Sequence, residues 1–392
     1  MGKNMSVDAS KVSALTNWLV AGAPPKRSFP DLITEIGERL SATGLPVHQF
    51  GVYHMLIHPE MPGRFDFWTQ KAKHRRQTIT PEQVVSGDIW IGSPAALCMN
   101  SHRLVIQTFG KSPEFDHRPV SKTHMDRGYT QFIYSPLHSS YSIETSVAVF
   151  GTKQPGGFSE DQQHSLRLIQ APLARVIEAF VLYESNVQVL STYVGRGAGI
   201  RVLQGNILRG DTEEIPSIIL FADLRNFTAL SNAKPAKQVI DTLNAFYDVA
   251  ETAIGKNGGE ILKFMGDGLL AIFPTPDDLS AQMAAAAGAV SALEETRRML
   301  KEGARDDLQF RASLHLGDIH YGNIGSKSRL DFTAVGPAVN LAARLMSVAD
   351  ELGYETVCSD AFHRLVPNKT TYLAKHTFKG FDQPQRVFGI DI

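Results

Sequence analysis

ILKFMGDGLLAIF, residues 261 to 273, is apolar at both ends and charged in the middle. Two runs of Leu, Ile, Phe and Met flank Gly266-Asp267-Gly268, the pattern of a buried hairpin with its turn at the glycines. A carboxylate beside so much apolar surface is costly unless it has a partner, a metal ion or water. Glycine-flanked Asp is also common in ordinary turns, so Asp267 alone does not choose between a structural and a chemical role. Lys263 stands just before it.

Working outward, SIILFAD (217–223) is a second apolar strand, and it ends on Asp223. KQVIDTLNAFYDVAETAIGKNG (237–258) places Val239, Leu243, Phe246, Ala250 and Ile254 on one helical face. A second helix follows at 279–300, two strands within 308–325, a third helix within 335–350, and three short strands close the chain. Strands and helices alternate as βαββαβ with additions, which predicts an α+β fold with a ferredoxin-like layer. If the two strands ending in Asp223 and Asp267 are neighbours, their carboxylates lie within a few Å. Two such groups repel, and one is driven to hold a proton. A divalent cation removes the conflict, and hard oxygen ligands suit Mg²⁺.

The whole chain has 392 residues, too many for one core, so two domains are expected. With 43% hydrophobic residues, 20% charged residues and a formal net charge of -1, nothing favours general binding to nucleic acid or anionic membrane. Phosphate chemistry must then be local. Cys98 and Cys358 are far apart and read as free thiols of a reducing compartment. No apolar run is long enough to cross a bilayer and no signal-peptide core is visible, so a cytoplasmic location is expected.

Residues 8–44 read as helical, with Ser28 as a cap and Leu32, Ile33, Ile36 and Leu40 on one face. HQFGVYHMLIHP and RFDFWTQ read as a strand pair around a turn at Pro62-Gly63. Ser93 caps a helix whose first turn holds Pro94. YTQFIYSPL and YSIETSVAVFGT read as strands, the second with Ile143, Thr145, Val147 and Val149 alternating. Ser159 and Gln162 form a capping box for a long helix. In that helix Leu166, Ile169, Leu173, Val176, Phe180, Tyr183, Val187 and Leu190 follow the spacing of a two-helix seam. The same stripe also suits packing on the domain's own sheet. Pro172 is expected to kink or interrupt the helix, with the part before it on the sheet and the part after it in a dimer contact.

The arrangement of residues 1–186 resembles the GAF family of small-molecule sensor domains, most of all in SVAVFGTKQPGGFSEDQQHSLRLIQAPLARVIE (146–178). The resemblance implies a regulatory domain at 1–186 for an unknown small-molecule or protein regulator. A helical linker or transducer at 187–215 and a catalytic domain at 216–392 would follow.

FADLRNFTAL, GGEILKFMGDGLLAIF, RASLHLGDIHYGNIG and TAVGPAVNLAARL, with FKG near the end, resemble successive motifs of the class III nucleotidyl cyclases in order and spacing. The resemblance implies conversion of ATP to 3′,5′-cyclic AMP and pyrophosphate, with two Mg²⁺ or Mn²⁺ per active site. Asp223 and Asp267 match the metal ligands, and the carbonyl of Leu224 is a further one. Asn226, Phe227 and Thr228 would offer backbone N–H groups at a helix N-terminus to the phosphates. Asn226 stands where most relatives have Gly, and Asn tolerates a left-handed backbone next best. Asn340 and Arg344, one helical turn apart, match the ribose-orienting and transition-state residues. Pro337 replaces an Asp common after this glycine, in a first turn that tolerates it. Lys379 matches the lysine that binds the triphosphate tail. Lys263 and Thr333 match the purine-reading pair of the bacterial Lys/Thr subtype, which suits adenine's acceptor N1 and donor N6.

In this family the acids and the remaining groups of one site come from different subunits, so the resemblance implies a head-to-tail homodimer. A catalytically silent nucleotide-sensing dimer and a guanylyl or mixed-specificity cyclase are the alternatives. The acidic Gly-Gly-Asp/Glu loop of a diguanylate cyclase is missing.

Overall fold

The computed structural model describes residues 7–25, 28–56, 62–86, 90–140, 146–303, 305 and 308–392, without the side chains of 84–86. The chain divides into two compact units, Met1–Val189 and Leu190–Ile392.

The first unit runs α1 (Ala9–Val20), α2 (Phe29–Ala42), β1 (Gln49–Met55), β2 (Gly63–Thr69), β3 (Arg75–Ile79), α3 (Pro81–Ser86) and α4 (Pro94–Ser101). It continues with β4 (Val105–Thr108), α5 (Pro113–Asp116), α6 (Pro119–Asp126), β5 (Gln131–Leu137), β6 (Ser146–Thr152) and α7 (Glu160–Val194). The strands form one antiparallel sheet in the order β3-β2-β1-β6-β5-β4. Period-two alternation divides its side chains between two cores. Phe50, Val52, Trp68 and Phe150 meet α1, α2 and α7 on one face. Phe65, Phe132, Tyr134, Val147 and Val149 meet α4 on the other.

The caps fall where the side chains dictate. The Ser28 and Ser93 hydroxyls accept from the amides of Asp31 and Ala96. The Ser159 amide donates to Gln162 Oε1 at 2.9 Å while the Gln162 amide donates to Ser159 Oγ. Gly63 is the first residue of β2, opposite Met55, rather than part of a two-residue turn. The rest of that connection, at 57–61, and the expected strand positions Ile143 and Thr145 lie outside the described residues.

Pro172 does not interrupt α7, which is continuous from Glu160 to Val194. The carbonyl that its ring leaves without an amide partner belongs to Leu168, which is exposed, so water can replace the bond. Packing on the unit's own sheet also continues past the proline, through Leu173, Val176 and Ile177, with Phe180 against the same core. Of the expected seam only Tyr183 is strongly exposed, at 61%.

The second unit contains α8 (Arg196–Leu203), β7 (Thr212–Leu224), α9 (Phe227–Ala233), α10 (Ala236–Lys256), β8 (Glu260–Met265), β9 (Gly268–Pro274), α11 (Leu279–Glu302) and β10 (Phe310–Gly325). It ends with β11 (Leu330–Val335), α12 (Pro337–Val348), β12 (Thr356–Ser359), α13 (Asp360–His363), β13 (Thr370–His376) and β14 (Gln385–Ile390). The strand order is β13-β14-β12-β10-β7-β9-β8, with β11 paired to β10. The inner four, β10-β7-β9-β8, give the ferredoxin-like order expected for βαββαβ.

Even-numbered residues of β7 (Ile218, Leu220, Ala222) face α10 and α11. Odd-numbered ones (Ile219, Phe221) face the opposite side, where Ala338 and Ala342 of α12 and Ala198 of α8 also pack. Strand β7 begins at Thr212 and runs through Pro216. The proline is tolerated because β9 flanks this strand only from Ser217 onward. The segment expected as a connector is held on the sheet. The Gly197 amide donates to Glu260 at 2.8 Å, and Asn323 Nδ2 donates to the Asn206 carbonyl at 2.8 Å.

Three buried histidines make stability depend on pH. Burial lowers His54 and His124 in the first unit and His315 in the second to about 4. A base whose folded pKa is depressed contributes fully above its unfolded value near 6.5, and that contribution is lost as pH falls toward 4. The loss should approach about 3 kcal/mol for each at the acid end. Urea midpoints of both units should therefore fall between pH 6.5 and 4.5, and less so for the first unit of a His54→Phe variant. Unchanged midpoints would contradict neutral burial.

Candidate active site

The hairpin β8–β9 brings its turn against the end of β7. Asp223 lies directly opposite Gly268, and the Leu224 amide donates to the Asp267 carbonyl at 3.1 Å. Both glycines of the turn are required. Gly266 is left-handed, with φ +69°, and a Cβ on Gly268 would lie 2.8 Å from the Ala222 carbonyl oxygen. The two strand-end acids are thus neighbours. Burial raises the Asp267 carboxyl above its ordinary range, the charge of Asp223 adds to the rise, and Arg311 works against it. Asp223 Oδ1 is buried with no hydrogen-bond partner among the described residues. A repelling oxygen pair with one buried lone acceptor fits a hard divalent cation.

Arg311 is a member of this site that the sequence reading missed. It stands opposite Asp223 across β7 and β10. Its Nη2 donates to Asp223 Oδ2 at 3.0 Å and its Nη1 to Asp350 Oδ2 at 2.6 Å. Asp350 also faces Arg225 at 3.7 Å. The acids therefore sit beside a guanidinium that a second carboxylate holds.

Asn226 adopts the left-handed conformation expected of it, with φ 58° and ψ 22°, and precedes the short helix α9 that starts at Phe227. Phe227 is half-buried and Thr228 exposed, so the amides of this turn lie at the surface beside Asp223.

Lys263 is not free. Its ammonium pairs with Asp331 Oδ2 at 2.8 Å, joining β8 to β11. Thr333 is two residues beyond Asp331 on the same strand, hence on the same face. The structure thus gathers Lys263, Asp331 and Thr333. Asp331 was legible in principle from the two-residue period, while Arg311 needed the β7–β10 register.

Asn340 is exposed and Arg344 half-buried on α12, and Lys379 is exposed in the loop after β13. None of these three side chains makes a hydrogen bond or ion pair with the acid pair. Asp350, beyond the end of α12, reaches Arg311 beside Asp223. Asn340 lies ten residues back along the helix, roughly 15 Å by helical rise.

Residues 212–373 match the family model of the adenylate and guanylate cyclase catalytic domain. The second unit carries a class III cyclase catalytic domain. The chain is 32% identical over 147 residues to an adenylate cyclase of Dictyostelium discoideum specific to terminal differentiation, covering 37% of this chain and 7% of that protein. It is 27% identical over 146 residues to adenylate cyclase 1 of Rhizobium meliloti, covering 36% and 22%. An uncharacterised protein of Mycobacterium tuberculosis is 31% identical over 179 residues, or 45% of this chain, which spans 33% of that relative. Among solved structures, the adenylyl cyclase CyaB from P. aeruginosa is 26% identical, with 46% of this chain and 96% of that chain aligned and a TM-score of 0.41.

The acid pair of the cyclase domain gives a direct test. A carboxyl with a raised folded pKa is worth more to the fold protonated than ionised, so ionised Asp267 opposes stability at neutral pH. In chelator, Asp267→Asn should unfold at the same temperature as the parent or a few degrees higher. Mn²⁺ should shift the parent upward, and Asp267→Asn should not show that shift. A variant that is less stable in chelator, yet still stabilised by Mn²⁺, would contradict the paired-acid site.

Proposed function

We propose that the cyclase domain converts ATP to 3′,5′-cyclic AMP and pyrophosphate in a homodimer with two equivalent sites. The observation that carries this reading is the meeting of Asp223 and Asp267 at adjoining strand ends, one oxygen buried and unpartnered. The ribose 3′-oxygen forms a bond to the α-phosphorus, the bond to the pyrophosphate oxygen breaks, and the 3′-hydroxyl proton passes to water. Asp223 and Asp267 would hold two Mg²⁺ or Mn²⁺ with the Leu224 carbonyl. Among the described residues no group of three or more His, Cys, Asp or Glu assembles here, so backbone and phosphate oxygens complete the set. When bound, the ions lower the pKa of the attacking hydroxyl and neutralise the leaving oxygens.

This chain's own groups do the rest. Asn226, Phe227 and Thr228 present amides to the outer phosphates, and Lys379 binds the triphosphate tail. Asn340 orients the ribose. Arg344 meets charge growing on the α-phosphate with a fork that stays ionised. Lys263 and Thr333 read adenine, and Asp331 fixes the lysine so that one of its remaining donors points at N1. The adenylate cyclase relatives support ATP over GTP.

The family resemblance, in which the acids and the remaining groups of one site come from different subunits, supports a site shared between two chains. Phe264 and Met265 on β8 and Val335 on β11 are exposed beside the site, an apolar rim for a second copy to cover. Residues 1–186 are read as a GAF-like regulatory domain for an unidentified small molecule or protein, with 187–215 as transducer and 216–392 as the catalytic part. The sheet with helices on both faces supports that reading. Cys98 and Cys358, both free and buried, suit a reducing cytoplasm. Among the described residues no helix is long and apolar enough to cross a membrane.

The full chain, incubated with ATP and Mg²⁺ or Mn²⁺, should form cyclic AMP. Asp267→Asn and Arg344→Ala should each reduce turnover by about 100-fold or more. An equimolar mixture of the two, allowed to exchange subunits, should regain activity through one intact site per heterodimer. No regain from folded, dimeric mixtures would sink the shared site. No product under any metal would favour a silent nucleotide-binding dimer. For purine choice, Asp331→Asn should lower the preference for ATP over GTP by about tenfold, read as the ratio of kcat/KM values.

A further inference from the structure

The turn that carries Asp267 lies between an edge strand and the end of β7. It is built on two glycines. Strand β8, on its outer side, is the last strand of the sheet, and its pairing with β9 shifts register between Ile261 and Lys263. The turn sets Asp267 against Asp223, which lies opposite Gly268 and whose Oδ1 is buried with no hydrogen-bond partner among the described residues. Without a brace, repulsion would swing the turn outward and separate the two acids.

Tyr247 of α10 supplies a brace. Its hydroxyl donates to the carbonyl oxygen of Gly266, the residue before Asp267, at 2.6 Å. Its ring lies on Phe264 of β8, with centroids 4.3 Å apart and planes tilted 40°. The adjacent Phe246 is fully buried, which roots this turn of α10 in the core. One side chain therefore grips the hairpin twice, by its strand and by its turn, from a helix that carries none of the groups assigned to chemistry. Burial, then the charges of Asp267 and Asp223, raise the phenol above its ordinary range, so it stays a donor at neutral pH.

We propose that Tyr247 is a positioning residue for Asp267, and that its bond to Gly266 keeps the two acids together for a divalent cation. The inference rests on reading the acid pair as a cation site. Tyr247→Phe isolates it, because the ring and its contact with Phe264 remain and only the hydrogen bond is lost. A bond of this kind is worth about 0.5–1.5 kcal/mol, a factor of roughly two to ten in affinity.

The test uses the full chain and Mn²⁺ without nucleotide, followed by titration calorimetry and by the loss of the free Mn²⁺ spin-resonance signal. The parent should bind Mn²⁺, and Tyr247→Phe should bind it several-fold more weakly. In the cyclase assay the Mn²⁺ concentration for half-maximal rate should rise by the same factor. KM for ATP at saturating Mn²⁺ should stay within about twofold, and raised Mn²⁺ should restore the lost rate. A merely structural role would instead lower kcat at every metal concentration. Tyr247→Leu, which removes the ring as well, should lose no less affinity. Unchanged Mn²⁺ binding in either variant overturns the proposal while leaving the cation site intact. A parent chain that binds no Mn²⁺ overturns the cation site and the proposal together.

Discussion

Two carboxylates that repel each other sit at adjoining strand ends, and the second unit is arranged around holding them there. Strand β7 delivers Asp223 from a run of fully buried residues, and β9 begins opposite it with a glycine that lets the backbones close up. Asp223 sits on the last rung of the β7–β9 ladder, and Asp267 is in the turn just beyond it. The cost appears in Asp267, whose charge is opposed by burial and by its neighbour. The surroundings meet that cost in three ways: an arginine fork on Asp223, an amide bond to the Asp267 carbonyl, and a tyrosine on the turn.

The same constraint explains why positive charge collects at this end of the sheet. Arg311 bridges Asp223 and Asp350, while Arg225 faces Asp350 and Glu355. A guanidinium stays ionised and donates in two directions, so it can hold one carboxylate while resting on another. Exposed ion pairs of this kind contribute little stability singly. Their value is placement, because they set the charge that an incoming triphosphate and its cations would meet. On β8 the Lys263–Asp331 pair ties the lysine to β11 and takes up one of its donors.

The chain spans about a third of the length of curated relatives such as the Mycobacterium tuberculosis protein, and the family model matches residues 212–373. The first unit stands on its own architecture: a six-stranded sheet with a core on each face. It holds two histidines buried in neutral form, one with its ring edge-on to Phe29 at 5.0 Å. Its long helix keeps to that core well beyond Pro172, so the apolar stripe first serves the unit's own sheet.

The sequence by itself determined the βαββαβ order, the caps at Ser28, Ser93 and Ser159, the left-handed Asn226, and the acids Asp223 and Asp267. Each is written in local signals: periodicity, a hydroxyl before a helix, a glycine pair, a strand that stops at a carboxylate. It allowed for an interruption at Pro172 that does not occur, because whether a freed carbonyl can reach water depends on what covers Leu168. It did not foresee Arg311 opposite Asp223, the Lys263–Asp331 pair, the grip of Tyr247 on Gly266, or the docking of 195–211 on the sheet. Those are contacts across 19 to 117 positions of chain. Only strand register and helix packing decide which distant side chains share a face, and neither is encoded within a window of neighbouring residues.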